Sequence, residues 1–259
     1  MKLERLISAL LLLLAVGCSG DPKVKTTMTL ADLENRFKSQ VKLDSLELST
    51  GQEVRFTLLT PHAYTGDEPT PLIVALHYGG KVTPHYSRGV IENLVYPGLK
   101  ELNAIMVAPD SIDGGWGTEA NENSVMELMD HVIKNHNIDP SRVLLTGFSL
   151  GGHGTWYLGS RHQDRFTAMI PIAGDPYVKE GTTWTTPVYA IHSRADTVVP
   201  IKGTEEYIQA QVVSGNQDME LVALEGLPHN QTGKFAAPLK DAVPWLKRVW
   251  EKADRSEGP

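Results

Sequence analysis

From Pro71 onward, short apolar runs alternate with longer stretches in which apolar residues recur at steps of three and four. The runs Leu72–His77, Ala104–Ala108, Val143–Phe148, Ala168–Ile172, Val188–Ile191 and Glu220–Leu224 have strand length, and the most continuous of them predict strands buried on both faces of a sheet. Between the second and third runs, Val125, Leu128, Met129, Val132 and Ile133 follow i, i+3, i+4, i+7, i+8, the stripe of a helix laid on a sheet. Gly203–Val213 and Asp241–Lys252 read as two more helices, the second with Trp245, Leu246, Val249 and Trp250 on its buried side. Upstream, Leu46–Ser49 and Glu53–Leu59, joined around Thr50-Gly51-Gln52, predict an antiparallel pair. Thr29 can N-cap a short helix in which Leu30, Leu33 and Phe37 share a face. Such alternation predicts an α/β fold: a mostly parallel central sheet of about eight strands, helices on both faces, and a site at the C-terminal strand edges.

The apolar run Leu6 to Val16 belongs to a different pattern. It follows Lys2 and Arg5, is too short to span a bilayer, and has the length of a signal-peptide core. It ends in Ala15-Val16-Gly17-Cys18, which contains the one cysteine of the chain and resembles the lipobox of bacterial lipoproteins. The resemblance implies lipidation of Cys18, a membrane partner through that anchor, and a place in the bacterial cell envelope, periplasmic or at the cell surface. The expected organisation is therefore a signal peptide over 1–18, a tether over 19–28, one catalytic domain over 29–253 and a disordered tail over 254–259. With a single cysteine, the exported domain has no internal disulfide and depends on its core. A formal net charge of −7 without any Lys/Arg block argues against a nucleic-acid partner.

The chemistry is concentrated in Arg142 to Gly154, RVLLTGFSLGGHG. Gly147-Phe148-Ser149-Leu150-Gly151 is a G-x-S-x-G between an apolar strand and a helical stretch, the setting of a nucleophile elbow. So tight a turn requires glycine at 147 and 151 and pushes Ser149 out at the strand edge, near the positive end of the following helix. Two further polar clusters follow strand ends: His192 to Pro200, which contains Asp196, and Glu225 to Asn230, which contains His229.

The order Ser149, Asp196, His229, together with LHYGG, GFSLGG, HSRADTVVP and GLPHN, resembles the α/β-hydrolase superfamily over roughly residues 71–250. Within it the sequence is similar to small esterases of the phospholipase/carboxylesterase and dienelactone-hydrolase type and to feruloyl and polyester esterases. The resemblance implies Ser149 as nucleophile, His229 as general base and acid, and Asp196 as the residue that orients the imidazole. It implies an oxyanion hole from the Leu150 N–H and from the loop after the Leu72–His77 strand, where His77-Tyr78-Gly79-Gly80 read against H-G-x-G places the donor at Gly79. Tyr78 stands where glycine is usual, and its hydroxyl is a third candidate donor. Ser193 replaces the glycine of an HG pair, and Pro228 stands where glycine often precedes the histidine. Asp175, after the Ala168–Ile172 strand, is an alternative acid.

Trp116, in Gly114-Gly115-Trp116-Gly117, reads as a wall for an acyl or sugar group. His153, one helical turn past Ser149, and Trp184, with Tyr177 in the same segment, read as lining the pocket mouth. His77 and His192 are expected to bond backbone. No histidine spacing matches a ligand motif such as H-E-x-x-H, so neither metal nor cofactor is expected. Residues 173–186 are too short for a helical cap, which predicts an open site without a large lid. The leading expectation is a serine esterase acting on small-molecule or polysaccharide esters through an acyl-Ser149 intermediate. The alternatives are a serine peptidase of the oligopeptidase type and a catalytically silent hydrolase-fold binding module.

Overall fold

In the computed structural model, residues 40–256 are described. The expected signal peptide, Cys18, the tether and the helix after Thr29 lie outside them. Eight strands form one sheet: β1 (Val41–Glu47), β2 (Glu53–Leu59), β3 (Thr70–Leu76), β4 (Ile105–Pro109), β5 (Ile138–Phe148), β6 (Ala168–Ile172), β7 (Val188–Ser193) and β8 (Met219–Leu224). Their order is β1-β2-β4-β3-β5-β6-β7-β8; β1/β2 and β2/β4 are antiparallel and every other pair is parallel. All six apolar runs form strands, and the upstream pair is antiparallel as expected, but its first strand is Val41–Glu47 and not Leu46–Ser49, because Leu48 and Ser49 are taken up by the turn that leads into β2.

The helices are α1, a composite segment over 88–102, α2 (Glu119–Asn135), α3 (Leu150–Arg161), α4 (Lys202–Val213), α5 (Ala236–Asp241) and α6 (Val243–Ser256). Alternate strand residues face opposite sides. Ile73, Met106, Leu144 and Ile170 pack with Val90, Ile91, Leu94, Leu239 and Leu246 from α1, α5 and α6. Leu72, Val74, Val107 and Leu145 pack with Val125, Leu128, Trp156 and Ile208 from α2, α3 and α4. The sheet is thus covered on both faces, as its unbroken apolar strands require.

Three local readings change. Ile133 is 41% exposed, so the α2 stripe ends at Val132. The last helix begins at Val243, not Asp241, because α5 occupies 236–241 first; it also runs to Ser256, into the segment expected to be tail. The third is α1, which the sequence reading left unassigned. It joins α-helical turns to a π-turn, Ile91–Val95, and so carries Pro97 and Gly98 inside a helical segment. A Cβ on Gly98 would lie 3.0 Å from the Leu239 side chain, so the glycine that looks like a breaker is where α5 docks.

The topology places the site. From β3 the chain moves outward to β4, then crosses to the other side of β3 to form β5. The loops leaving β3 and β5 therefore diverge, and the crevice between them opens at this switch point.

Candidate active site

Ser149 follows β5 directly and caps α3 with φ 57° and ψ −116°, a conformation rare for a residue with a side chain. Packing holds it there. Its N–H donates to the Ile172 carbonyl at 2.9 Å, and its carbonyl accepts from the His153 N–H at 2.9 Å. A Cβ on Gly147 would sit 2.3 Å from the Gly151 carbonyl oxygen, and one on Gly151 would sit 2.1 Å from that of Leu76. Both glycines are needed, as the turn implied. Gly152, whose Cβ would lie 2.5 Å from the Ile172 oxygen, is a third that the five-residue pattern does not contain.

The Ser149 Oγ lies 2.7 Å from His229 Nε2, and His229 Nδ1 lies 2.5 Å from Asp196 Oδ2. The carboxylate accepts the Nδ1–H, which leaves Nε2 as acceptor for the serine hydroxyl. The Asp196 side chain is fully buried; its Oδ1 accepts the N–H groups of Val198 at 3.0 Å and Val199 at 2.8 Å, so both carboxylate oxygens have hydrogen-bond partners. The His229 ring rests on Phe148, with centroids 5.2 Å apart. Asp175 does not meet His229: its carbonyl accepts from His153 Nδ1 at 2.9 Å, and its carboxylate faces Gly203 at the start of α4.

Leu150 is the first residue of α3, so its N–H has no acceptor within the helix. Gly79 is exposed, and a Cβ there would be 3.9 Å from the Leu150 side chain, so the two residues are neighbours. His77 fixes the loop that carries Gly79. The Ser111 N–H donates to its Nε2 at 3.0 Å, so the proton sits on Nδ1, which donates to the Tyr78 carbonyl at 2.7 Å. Burial pushes this imidazole below the ordinary histidine value. His192 is held the same way, between Thr204 Oγ1 at 2.9 Å and the Val199 carbonyl at 2.8 Å, and burial lowers it too.

Three site expectations are corrected. Tyr78 packs edge-on against Tyr86 and Phe148, and its hydroxyl reaches Gly89 so closely that a Cβ there would be 2.7 Å away. It packs into α1 instead of offering a donor. Trp116 is 1% exposed; its Nε1 donates to the His77 carbonyl at 2.9 Å, and its Cβ fills the space that Gly154 leaves open. The indole supports the oxyanion loop from beneath and forms no wall. Trp184 is 8% exposed, bonded through Nε1 to the Tyr207 hydroxyl at 2.7 Å and packed edge-on against Trp156. Burying a large indole with its N–H satisfied outweighs presenting it at a mouth. His153 stays partly exposed beside the site, with Nδ1 holding the segment after β6. Tyr177 is 56% exposed and stacks on Tyr157. The sequence reading missed Ser193 as a structural link. Its hydroxyl accepts from the N–H groups of Ala195 at 3.2 Å and Leu227 at 3.3 Å and donates to the Leu224 carbonyl at 3.4 Å.

A sheet with this switch point, and a serine on a strained strand-to-helix turn beside it, define an α/β-hydrolase. The comparisons narrow the class. A family model for phospholipase/carboxylesterase matches residues 107–244, more than half of the chain, and the chain belongs to that family. It is 32% identical over 120 residues to poly(3-hydroxyalkanoate) depolymerase C of Paucimonas lemoignei, covering 41% of this chain and 28% of that one. It is 31% identical over 157 residues to "Probable feruloyl esterase C" of Aspergillus terreus, covering 57% of each. The chain thus spans about a quarter to just over half of the length of these two curated relatives. The crystal structure of a thermostable esterase superposes with a TM-score of 0.70 at 22% identity, over 82% of this chain and 64% of that one, a likeness of fold.

Proposed function

We propose that this protein is a serine esterase that cleaves carboxylic esters through an acyl-Ser149 intermediate. The observation that carries the reading is the aligned pair of hydrogen bonds, Ser149 Oγ to His229 Nε2 and His229 Nδ1 to Asp196 Oδ2. A free serine hydroxyl is a poor nucleophile. As Oγ attacks the ester carbon its proton passes to Nε2, and Asp196 stabilises the imidazolium that forms. The carbonyl oxygen gains charge and takes hydrogen bonds from the Leu150 and Gly79 N–H groups, each worth about 3–4 kcal/mol of barrier. Collapse of this adduct breaks the C–O bond, and the imidazolium returns its proton to the departing alcohol. Water then attacks the acyl-serine with His229 again as base, releasing the acid and restoring Oγ–H. The segment between β6 and β7 contains no helix, which supports an open site for short-chain or exposed esters. The names of the relatives, a polyester depolymerase and a feruloyl esterase, support ester over amide substrates.

The experiment is labelling with a fluorophosphonate and turnover of p-nitrophenyl acetate. Ser149→Ala is expected to abolish labelling and lower kcat by a factor of order 10⁶. Residual activity within tenfold of wild type would remove Ser149 as nucleophile. Cleavage of peptide amides would favour the peptidase, and no labelling would favour the binding module. We propose further that Cys18 carries a lipid anchor in the cell envelope, supported by the lipobox-like sequence before it. Cys18→Ala is then expected to move the protein from the membrane to the soluble fraction; an unchanged distribution would sink this.

A further inference from the structure

The proposed mechanism needs the Gly79 N–H at a fixed place, yet Gly79 and Gly80 are both exposed and belong to the residue type with the freest backbone. A peptide unit is planar, so a hydrogen bond to its carbonyl also constrains the N–H of the following residue. His77 Nδ1 donates to the Tyr78 carbonyl at 2.7 Å, and that same peptide unit carries the Gly79 N–H. A single bond still lets the plane swing about its point of attachment. The next carbonyl, that of Gly79, accepts from the Tyr86 hydroxyl at 3.1 Å, so the loop is held at two successive peptides. Gly80 takes φ 148°, and a Cβ there would collide with the same hydroxyl.

Tyr86 is itself held firmly. Its half-buried ring packs edge-on against His77 and Tyr78, with centroids 5.0 and 5.6 Å away. Its backbone belongs to a turn gripped by Asp110, a nearly buried carboxylate directly after β4. Oδ2 accepts the His85 N–H at 2.6 Å and Oδ1 accepts the Ser87 N–H at 2.8 Å, one on either side of Tyr86. The grip sustains φ 58° at His85, a left-handed conformation uncommon outside glycine. Burial raises the Tyr86 phenol above its ordinary value, so it remains a donor through neutral pH. A line of support therefore runs from the end of β4 through Asp110 and Tyr86 to Gly79.

We propose that Tyr86 is a positioning residue for the oxyanion hole and that Asp110 acts through it, the two holding the Gly79–Gly80 peptide so that the Gly79 N–H meets the charge developing on the ester oxygen. The inference rests on the esterase reading and adds to it two residues that touch no reacting atom. The ester carbonyl carries less charge before attack than after it, so a misplaced N–H costs the transition state more than the bound substrate. The loss then falls on kcat.

The test is Tyr86→Phe, which keeps the ring contacts and removes only the donor. With p-nitrophenyl acetate, kcat is expected to fall roughly ten- to a hundredfold while KM stays within about twofold. Fluorophosphonate labelling is expected to slow in parallel, because its adduct turns an oxygen to the same N–H groups. Tm is expected to fall by less than about 4 °C, since water can replace the hydroxyl at an exposed carbonyl. Asp110→Asn, which leaves one of the two turn N–H groups without its acceptor, is expected to lower kcat in the same way. The double variant is expected to lose no more than the larger single loss. An unchanged kcat in Tyr86→Phe, a loss carried by KM, or losses that multiply in the double variant would overturn the proposal, while wild-type turnover keeps the esterase reading. Tyr86→Phe decides alone if Asp110→Asn does not fold. If wild type turns over no ester, the esterase reading fails by itself, and the hold on the loop is read by backbone amide NMR relaxation. Order parameters at Gly79 and Gly80 are expected to fall in Tyr86→Phe; unchanged values would overturn the hold.

Discussion

Ser193 is fully buried between the loop that carries Asp196 and the loop that carries His229, and its single hydroxyl bonds to both. Removing the oxygen leaves the Ala195 and Leu227 N–H groups without that acceptor, a cost of about 1–3 kcal/mol. In a domain of this size that is a fall in Tm of about 2–12 °C. Ser193→Ala is therefore expected to lower Tm by that amount and to lower kcat more than it raises KM, because the 2.5 Å contact of His229 with Asp196 loosens. An unchanged Tm and kcat would show that the hydroxyl links nothing. The position was visible in the sequence as a departure from an HG pair, but what the departure does depends on β8, 31 residues further on in the bond to Leu224. Trp116 and Trp184 teach the same lesson in reverse: both sit in segments that border strand ends, yet each indole N–H finds an internal acceptor and the ring goes inward.

At the scale of elements, the elbow works only because α3 starts in contact with the backbone of β3 and β6. The Gly151 Cα faces the Leu76 carbonyl and Gly152 faces that of Ile172, leaving no room for a methyl group. Gly151→Ala must push α3 off the sheet, an overpacking cost of about 1–3 kcal/mol or more, and it moves Ser149 with the helix. The expected result is a lower Tm together with loss of turnover of at least a hundredfold; a variant with wild-type kcat would mean that the turn is not held by this contact. The strands and the long helices were legible because each carries a single uninterrupted period. α1 was not, because a π-turn shifts its register and Pro97-Gly98 falls inside it. Pro97 is accepted because it falls in the first turn of the α-helical piece that follows the π-turn, and Gly98 because Leu239 packs against it where a side chain would sit.

For the whole molecule, two histidines tie its pH response to the site. His77 lies in the loop after β3 and His192 near the end of β7, and burial lowers both from the ordinary value of 6.5. The unfolded chain takes up protons at these positions near 6.5 while the folded one still resists. The unfolded state thus binds more protons, and stability is lost as pH falls below that value. Tm is expected to drop between pH 7.5 and 5. In His77→Gln, which keeps an acceptor for the Ser111 N–H and cannot be protonated, the drop is expected to be shallower. Equal slopes in the two proteins would rule out His77 as a contributor.

The polypeptide alone determined the α/β class, the strands of the sheet, the glycine-bounded turn at Ser149 and the order of the three polar residues that the turn, β7 and β8 present. These are local facts, written in periodicity and in which residue types a tight turn accepts. The tertiary structure decided the strand order, with β3 between β4 and β5, and hence where the crevice opens. It also decided which aromatic rings face inward, because an indole or phenol settles where its polar atom finds an acceptor and its ring finds a gap. Both the gap and the acceptor are supplied by residues far away in the chain.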